Sequence, residues 1–544
     1  MKHYIKCLSF VLLSGIFLGR AWAQPRLNRP SPSLFNILPP APQQEQPEAQ
    51  PEEIPDYSRY GGTLTVASGP VSTLDSQLAT DINSRLIIAN IQEGLYGYDD
   101  QQQLVPILAY GMPQMLDEVT YVIYLKENIK FHDGSILKAQ DVVFTIQRLL
   151  DPNTAVPTRV LFENIKSARA LDETTVEIKL NRPAHTLEYL FARQELYPLP
   201  SETLKRYDSA YGKVIAVGTG PFRLVEWQRE EAITLKRSDI YRDPELPYLN
   251  QLVFKLQPDA NQRIEHLTQR KLSVAADLTP KEVADINDRY VRVLSTPGTL
   301  LEQVYLNTSR PPFDNKSVRQ AMAYGIDRKA IVDQVFKGHA TIARGIFPPW
   351  HWAHDLKQQY FQYDPQKAAQ LLRESDYWGD VPLEFKLIYT QQPLFEQQAQ
   401  LIKEQLDRVG FRVILQPLPK QELLDYVYGR QGKERAEFSA ALEDWQGGMH
   451  PDLYSYLLYS SSSVYNKTLF NNPLVDRLLQ DAADSVRHEG KAMFYRQVDQ
   501  IVTQDANTIF ICFPHRILAY RTYVADLKPT PMGIIDFSKI WIRR

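Results

Sequence analysis

The sequence predicts a mixed α/β protein built on open sheets, and three features carry that reading. Strand-like and helix-like segments alternate through both halves of the chain, which argues for helices packed on sheets. With 544 residues there is material for about three domains. Hydrophobic content of 44% and charged content of 23% are those of an ordinary globular chain. The formal net charge of −3 excludes the basic field that nucleic acid or an anionic membrane surface would require.

The amino terminus, "MKHYIKCLSFVLLSGIFLGRAWAQ", has Lys2 and Lys6, then an apolar run from Cys7 to Gly19, then Ala21-Trp22-Ala23. Charged, apolar and small-residue regions in that order are a secretory signal, residues 1–23, with cleavage expected before Gln24. The apolar run is shorter than the about 20 residues of a membrane span; an uncleaved anchor is the alternative. Cys7 is followed by Leu8 and Ser9 and does not look like a lipoprotein acceptor. Cleavage leaves Cys512 alone, so neither an internal disulfide nor a cysteine metal cluster is expected. Residues 24–58 form a proline-rich leader; its first 34 residues, to Tyr57, hold nine prolines and no glycine, and an extended, mobile arm is expected.

Folded structure is expected from "YGGTLTVASG", where Leu64 and Val66 alternate with threonines as in a half-buried strand. Leu86, Ile87, Ile91 and Leu95 recur at helical spacing. "TYVIYLKENIKF" is apolar on both faces, like a strand covered on each side. Val142, Val143, Ile146, Leu149 and Leu150 form a helical stripe that Pro152 stops. His132-Asp133-Gly134 falls in the link between these two. It has the look of a catalytic pair, but no nucleophile or orienting partner accompanies it, and a strand-to-helix corner is the expectation. "TTVEIKL" reads as a strand and "FRLVEWQREEAITLKRSD" as a hairpin. The preceding "VGTGPF" is not a phosphate loop, because no Gly-Lys-Ser/Thr follows. "SVRQAMAYGIDRKAIVDQVFKG" predicts an amphipathic helical region closing on Gly338. "DPQKAAQLLRESDY" predicts a helix, "LEFKLIYT" a strand, "PLFEQQAQLIKEQLDRVG" a long helix ending at Gly410, and "FRVILQPL" a strand.

In this order the segments resemble the extracellular solute-binding proteins of family 5, the periplasmic oligopeptide-, dipeptide- and nickel-type receptors of ABC importers. The likeness covers about residues 60 to 540. It is carried by "KENIKFHDGSILKAQDVVFTIQRLLDP", "VGTGPFRLVEWQ", "PYLNQLVFKLQPDANQRIEHLTQRKLSVAADL", "LNTSRPPFDNKSVRQAMAYGIDRKAIVDQVFKGHATIARGIFPP", "YDPQKAAQLLRES" and the "LEDWQGGMHPD" region. Lys138 departs from it, standing where the family usually has a helix-capping Ser or Thr. The resemblance implies a type II-like two-lobed clamp with a small inserted domain. Lobe I would be 60–88, 200–303 and 513–544, the inserted domain 89–199, and lobe II 304–512. A solute would bind between the lobes, which close over it by a hinge. The implied partners are a small peptide-like solute and inner-membrane permease subunits; a monomer with no cofactor and no nucleic acid is expected.

Two positions differ from peptide-binding relatives. The aspartate that meets a peptide ammonium in the family stands three residues after a tryptophan matching Trp445; here that position is Gly448. The arginine that holds a dipeptide carboxylate corresponds to Gln392 in "YTQQPLF". A buried ammonium without a carboxylate is costly, so plain dipeptide binding by that arrangement is not expected. Arg85, at a position that faces ligand in relatives, offers a fork for a carboxylate or phosphate, or else a salt bridge. Glu443 and Asp444 precede Trp445 on an expected strand whose alternation sends one of them toward the cleft; Asp452 follows in a loop. Each is a candidate for a cationic group, and Trp445 for a platform in the cleft. In "PPWHWAHD", His351 and His354 are half a metal site, and a rim loop packing its tryptophans on the cleft is the expectation.

Alternatives stay open. The same fold could take an opine, an acidic sugar, or a nickel or haem complex. A secreted hydrolase is less favoured, since G-x-S-x-G, H-E-x-x-H and phosphate-loop motifs are missing. A receptor-like chaperone or signalling partner would keep the fold without the transporter.

Overall fold

A computed structural model of the chain describes residues 57–544, apart from 101, 185–186, 380–381, 430–437 and 486–487. All of these belong to one compact unit, Gln44–Arg544. The expected signal and the leader up to residue 56 lie outside the described residues.

Two strand pairs organise the molecule. Thr508–Arg521 is the longest strand. Its first part pairs antiparallel with Leu300–Leu306, and its second with Val291–Pro297 and Val274–Leu278. Because Val291–Pro297 and Leu300–Leu306 are separated only by Gly298 and Thr299, two antiparallel chain segments cross side by side from one half of a twelve-stranded sheet to the other.

Strand direction then locates the cleft. Ala440–Gln446 is antiparallel to Leu300–Leu306, so it runs the same way as the crossing strand; Leu383–Thr390 and Phe411–Leu418 are parallel to it. Their carboxyl ends all point toward the other half. There, Val274–Leu278 runs against the crossing strand, and Thr63–Ser68 and Gln251–Leu256 are parallel to it, with carboxyl ends pointing back. Two carboxyl edges therefore face each other across the crossing, and open α/β sheets bind ligands outside such edges.

Each half has its own core. Helices Lys316–Gly325 and Pro393–Val409 bury Val318, Met322, Ala399, Ile402 and Leu406 against one half-sheet. Helix Ile82–Ile91 buries Leu86, Ile87 and Ile91 against the other. A separate four-stranded sheet, Gln114–Asp117, Thr120–Tyr124, Thr175–Leu180 and Ile165–Ala170, carries helix Ala139–Leu150 and a third core.

Most segments match the expected elements closely. Helix Ile82–Ile91 ends before Leu95, because Gln92 leaves the helical conformation. "TYVIYLKENIKF" is a strand only to Tyr124; beyond it only isolated bridges form. The amphipathic region closing on Gly338 is two helices, Lys316–Gly325 and Arg328–Gln334, because Asp327 caps the second by accepting the Ala330 N–H. Lys138 provides no cap; instead Asp141 accepts the Lys138 N–H at 2.9 Å, and the lysine pairs with Glu173.

His132 is a corner residue with a structural task. Its Nε2 donates to the Gly220 carbonyl at 2.8 Å, its Nδ1 accepts the Gly218 N–H, and its own N–H meets the Gly218 carbonyl at 2.9 Å. Gly218 and Gly220 in turn lie so close to the Ile91 carbonyl that no side chain fits. Burial drives the His132 pKa down to about 4. A histidine neutral when folded but with an ordinary value unfolded stabilises above about pH 6.5 and loses that contribution as pH falls toward 4. Stability is expected to fall by roughly 3 kcal/mol at most over that window through this group. Denaturant titrations at pH 7 and 4.5 should show a smaller acid loss in His132→Asn; an equal loss would refute the assignment.

Candidate functional site

On the second half-sheet, three loops follow the carboxyl edge: Gln391–Gln392 after Leu383–Thr390, Pro419–Lys420 after Phe411–Leu418, and Gly447–His450 after Ala440–Gln446. Gln392 and Gly448 lie in the first and third of these loops, and Trp445 and Asp452 flank the third. Gln392 is the exposed residue that opens helix Pro393–Val409, and its side chain makes no cap. Gly448 is buried with Leu453 close by. Trp445 is half-buried, donates its indole N–H to the Leu453 carbonyl, and lies 6.1 Å from the Tyr465 ring. Asp452 accepts the Tyr495 hydroxyl at 2.8 Å.

Glu443 and Asp444 separate as alternation requires. Glu443 is buried. It binds the Lys467 ammonium directly and Lys420 at 3.1 Å. Burial would raise its pKa, but the two ammonium groups outweigh that and hold it below the usual carboxylate range. Lys467 is itself fully enclosed, with its Nζ 4.4 Å from the Tyr305 ring, 5.0 Å from Trp445 and 5.6 Å from Tyr428. Such a cage stabilises a desolvated cation. Asp444 keeps 31% of its side chain exposed and binds Lys420 at 3.0 Å. Lys420 and Lys467 were not singled out from the sequence. Only the position of Lys420 directly after "FRVILQPLP" hinted at the carboxyl edge; Lys467 left no local signal.

Arg85 is drawn into an ion pair. Its Nη2 meets Glu195 Oε1 at 3.1 Å, and Arg193 reaches the same oxygen at 2.9 Å. Burial raises the Glu195 pKa, yet the two guanidinium groups bring it to about 2. With Arg148 on Asp75 at 2.7 Å, this network ties the four-stranded sheet region to the first half.

The loop "PPWHWAHD" lies against the segment Leu187–Ala192. Tyr189 stacks on Trp352 at 6.2 Å and meets the His450 ring edge-on at 5.4 Å, while Glu188 pairs with Lys491 at 3.5 Å. These contacts join the Leu187–Ala192 segment to the tryptophan loop, to His450 and to helix His488–Asp505. His351 has both ring nitrogens engaged by backbone, Nε2 with the Met449 carbonyl and Nδ1 with the Ala353 N–H, each at 3.1 Å. His354 Nδ1 meets the Phe347 carbonyl at 3.0 Å. Among the described residues no group of three His, Cys, Asp or Glu is placed to hold a metal ion.

A small cavity of about 80 Å³ lies at the facing edge, among Ile82, Asn83, Asp277, His515 and Arg516. It is well below the roughly 300–1,000 Å³ of ordinary ligand pockets. No helix among the described residues is long and apolar enough to cross a membrane.

Comparison with known proteins agrees with this geometry. The chain is 27% identical over 447 residues to the glutathione-binding protein GsiB of Escherichia coli, covering 80% of this chain and 85% of that one. Its fold matches HbpA2 from Haemophilus parasuis with a TM-score of 0.81 at 23% identity, covering 89% and 100% of the two chains. It also matches the ABC transporter-associated periplasmic binding protein DppA from Helicobacter pylori, in complex with the peptide STSA, at 0.71 and 23%, covering 90% and 99%. The fold is thus the two-lobed type II clamp. The family model for bacterial extracellular solute-binding proteins, family 5, matches residues 103–467. The chain belongs to that family.

Proposed function

We propose that this chain is the exported receptor of an ABC importer, capturing a peptide-like solute between its two half-sheets and passing it unaltered to membrane permease subunits. The facing carboxyl edges, between which the chain crosses in two antiparallel segments, support this reading most directly. Such a connection lets the halves close by rotation about a few residues. Lobe I would follow the first half-sheet (60–88, 200–303, 513–544), lobe II the second (304–512), with 89–199 inserted; the strand pairing supports that division. The chain would act as a monomer without nucleic acid.

Relatives named for glutathione and for a bound peptide support a peptide-like solute. Gly448 and Gln392 argue against a plain dipeptide held by its two ends, and favour as second reading an opine or acidic sugar. The lining candidates are Gln392, Asp444, Trp445, Gly448 and Asp452 on one side and Arg85 on the other. Glu443 acts through Lys420 and Lys467.

Native mass spectrometry of freshly purified protein, followed by calorimetry with glutathione, tripeptides and longer peptides, tests the reading. Saturable one-to-one binding with a more compact scattering profile and unchanged ligand is expected. Turnover of a bound compound, or binding restricted to sugars or opines, would overturn it.

A further inference from the structure

Asp444 and Glu302 stand directly opposite each other on neighbouring antiparallel strands. Opposed residues of such a pair share one face of the sheet. Glu302 is 1% exposed, yet its Oε2 has no hydrogen-bond partner. Above it on helix Pro393–Val409, Gln398 is wholly buried; its amide lies beside the Glu302 carboxyl and favours the charged form, yet neither of its polar atoms completes a hydrogen bond of full geometry. Unsatisfied buried polar atoms cost about 1–3 kcal/mol each, so three of them at one edge of a binding cleft point to a missing partner.

Charge makes the partner's sign explicit. The groups acting on Glu302 are Asp444 on the same face of its neighbouring strand, Glu443 next to it in that strand, Cys512 from the crossing strand, Gln398 from the helix, and Lys420 from the second of the three loops. Lys467 completes the set through Glu443. Three carboxyl groups thus share two ammonium groups, and full ionisation leaves one negative charge unbalanced. Burial, and then the charge of Asp444, push the Glu302 pKa up to about 8. The excess charge is removed by a proton held on Glu302. Asp444, about one-third exposed, is the member solvent can reach.

We infer that Asp444 and Glu302 form the receptor for one cationic group of the solute, an ammonium or guanidinium, and that docking of this group drives a proton from Glu302 into solution. This rests on the peptide-like reading above and places the cation on a different strand pair from the Gly448 position. A positive charge beside the pair supplies a donor to the unpartnered Glu302 Oε2 and stabilises the ionised form.

Titration calorimetry at pH 7.0 with glutathione and triglycine, each with a free and an acetylated amino terminus, in phosphate and in Tris, tests it. For free amino termini the buffer difference should report release of nearly one proton, which Glu302→Gln removes. Acetylation should weaken binding by roughly 10- to 100-fold, as should Asp444→Asn. Equal binding of acetylated and free probes, or identical heats in both buffers for the native chain, overturns this inference alone. If none of the four probes binds, both it and the peptide-like reading fall.

Discussion

Lys467→Ala is expected to destabilise the protein by about 3–5 kcal/mol, a fall of about 3–5 °C in melting temperature for a chain of this size. The lysine side chain is 1% exposed and its partner Glu443 3%. Removing the cation leaves a buried carboxylate with Lys420 on one oxygen only, and breaking a buried pair from one side is far costlier than replacing both members. The double variant Lys467→Met, Glu443→Leu should therefore recover most of the loss. Acid provides a second check. Glu443 has a lowered folded pKa, so its contribution is present above the ordinary carboxylate value and lost as pH falls through the folded one. The gap between native chain and Lys467→Ala should narrow below about pH 4. If the single and double variants melt together, the two side chains are not coupled as described.

Gly447→Ala is the other substitution with a large expected effect. A methyl group at this position would sit inside the Tyr454 ring. That ring cannot yield easily: it is wholly buried, and its hydroxyl donates at 2.7 Å to the carbonyl of Thr299, in the link between Val291–Pro297 and Leu300–Leu306. The Gly447 N–H also reaches that carbonyl, at 3.2 Å. Overpacking here should cost about 3 kcal/mol and shift the loop holding Gly448 to His450, with at least a tenfold loss of solute affinity, about 1.4 kcal/mol. Gly448→Ala is the control for stability, since its methyl would meet only the flexible end of Leu453, and it should change the melting temperature little. Calorimetric melting and ligand titration of the two variants decide the matter; comparable behaviour would show that the Tyr454 packing can relax.

Periodicity is a local property, and the elements that depended on it were readable. Leu383–Thr390, Pro393–Val409 and Phe411–Leu418 follow the quoted segments residue for residue, because each has one apolar face and a glycine or proline at its boundary. The two-helix break at Asp327 went unread for a related reason: the apolar stripe continues across it, and only the side-chain bond to Ala330 reveals the cap.

The site was legible in its addresses and not in its charges. Trp445, Gly448 and Gln392 could be named because a family resemblance assigns their positions to ligand contact, and Asp444 because it precedes Trp445 on an expected strand. Which of Glu443 and Asp444 faces inward needed the pairing register with Gln303 and Glu302. Lys467 lies 24 residues from Glu443 in the chain and Glu302 more than a hundred from Asp444. Ion pairs and proton affinities depend on distance and burial in space, so no spacing along the chain announces them. By itself the sequence determined the alternation of elements, the family and, through that resemblance, a cleft in which a solute is expected. Only the tertiary structure decided that Arg85 is bound to Glu195, that Lys467 is locked in aromatic rings, and that one carboxyl group, Glu302, is left over; those outcomes are set by which faces meet when distant strands pair.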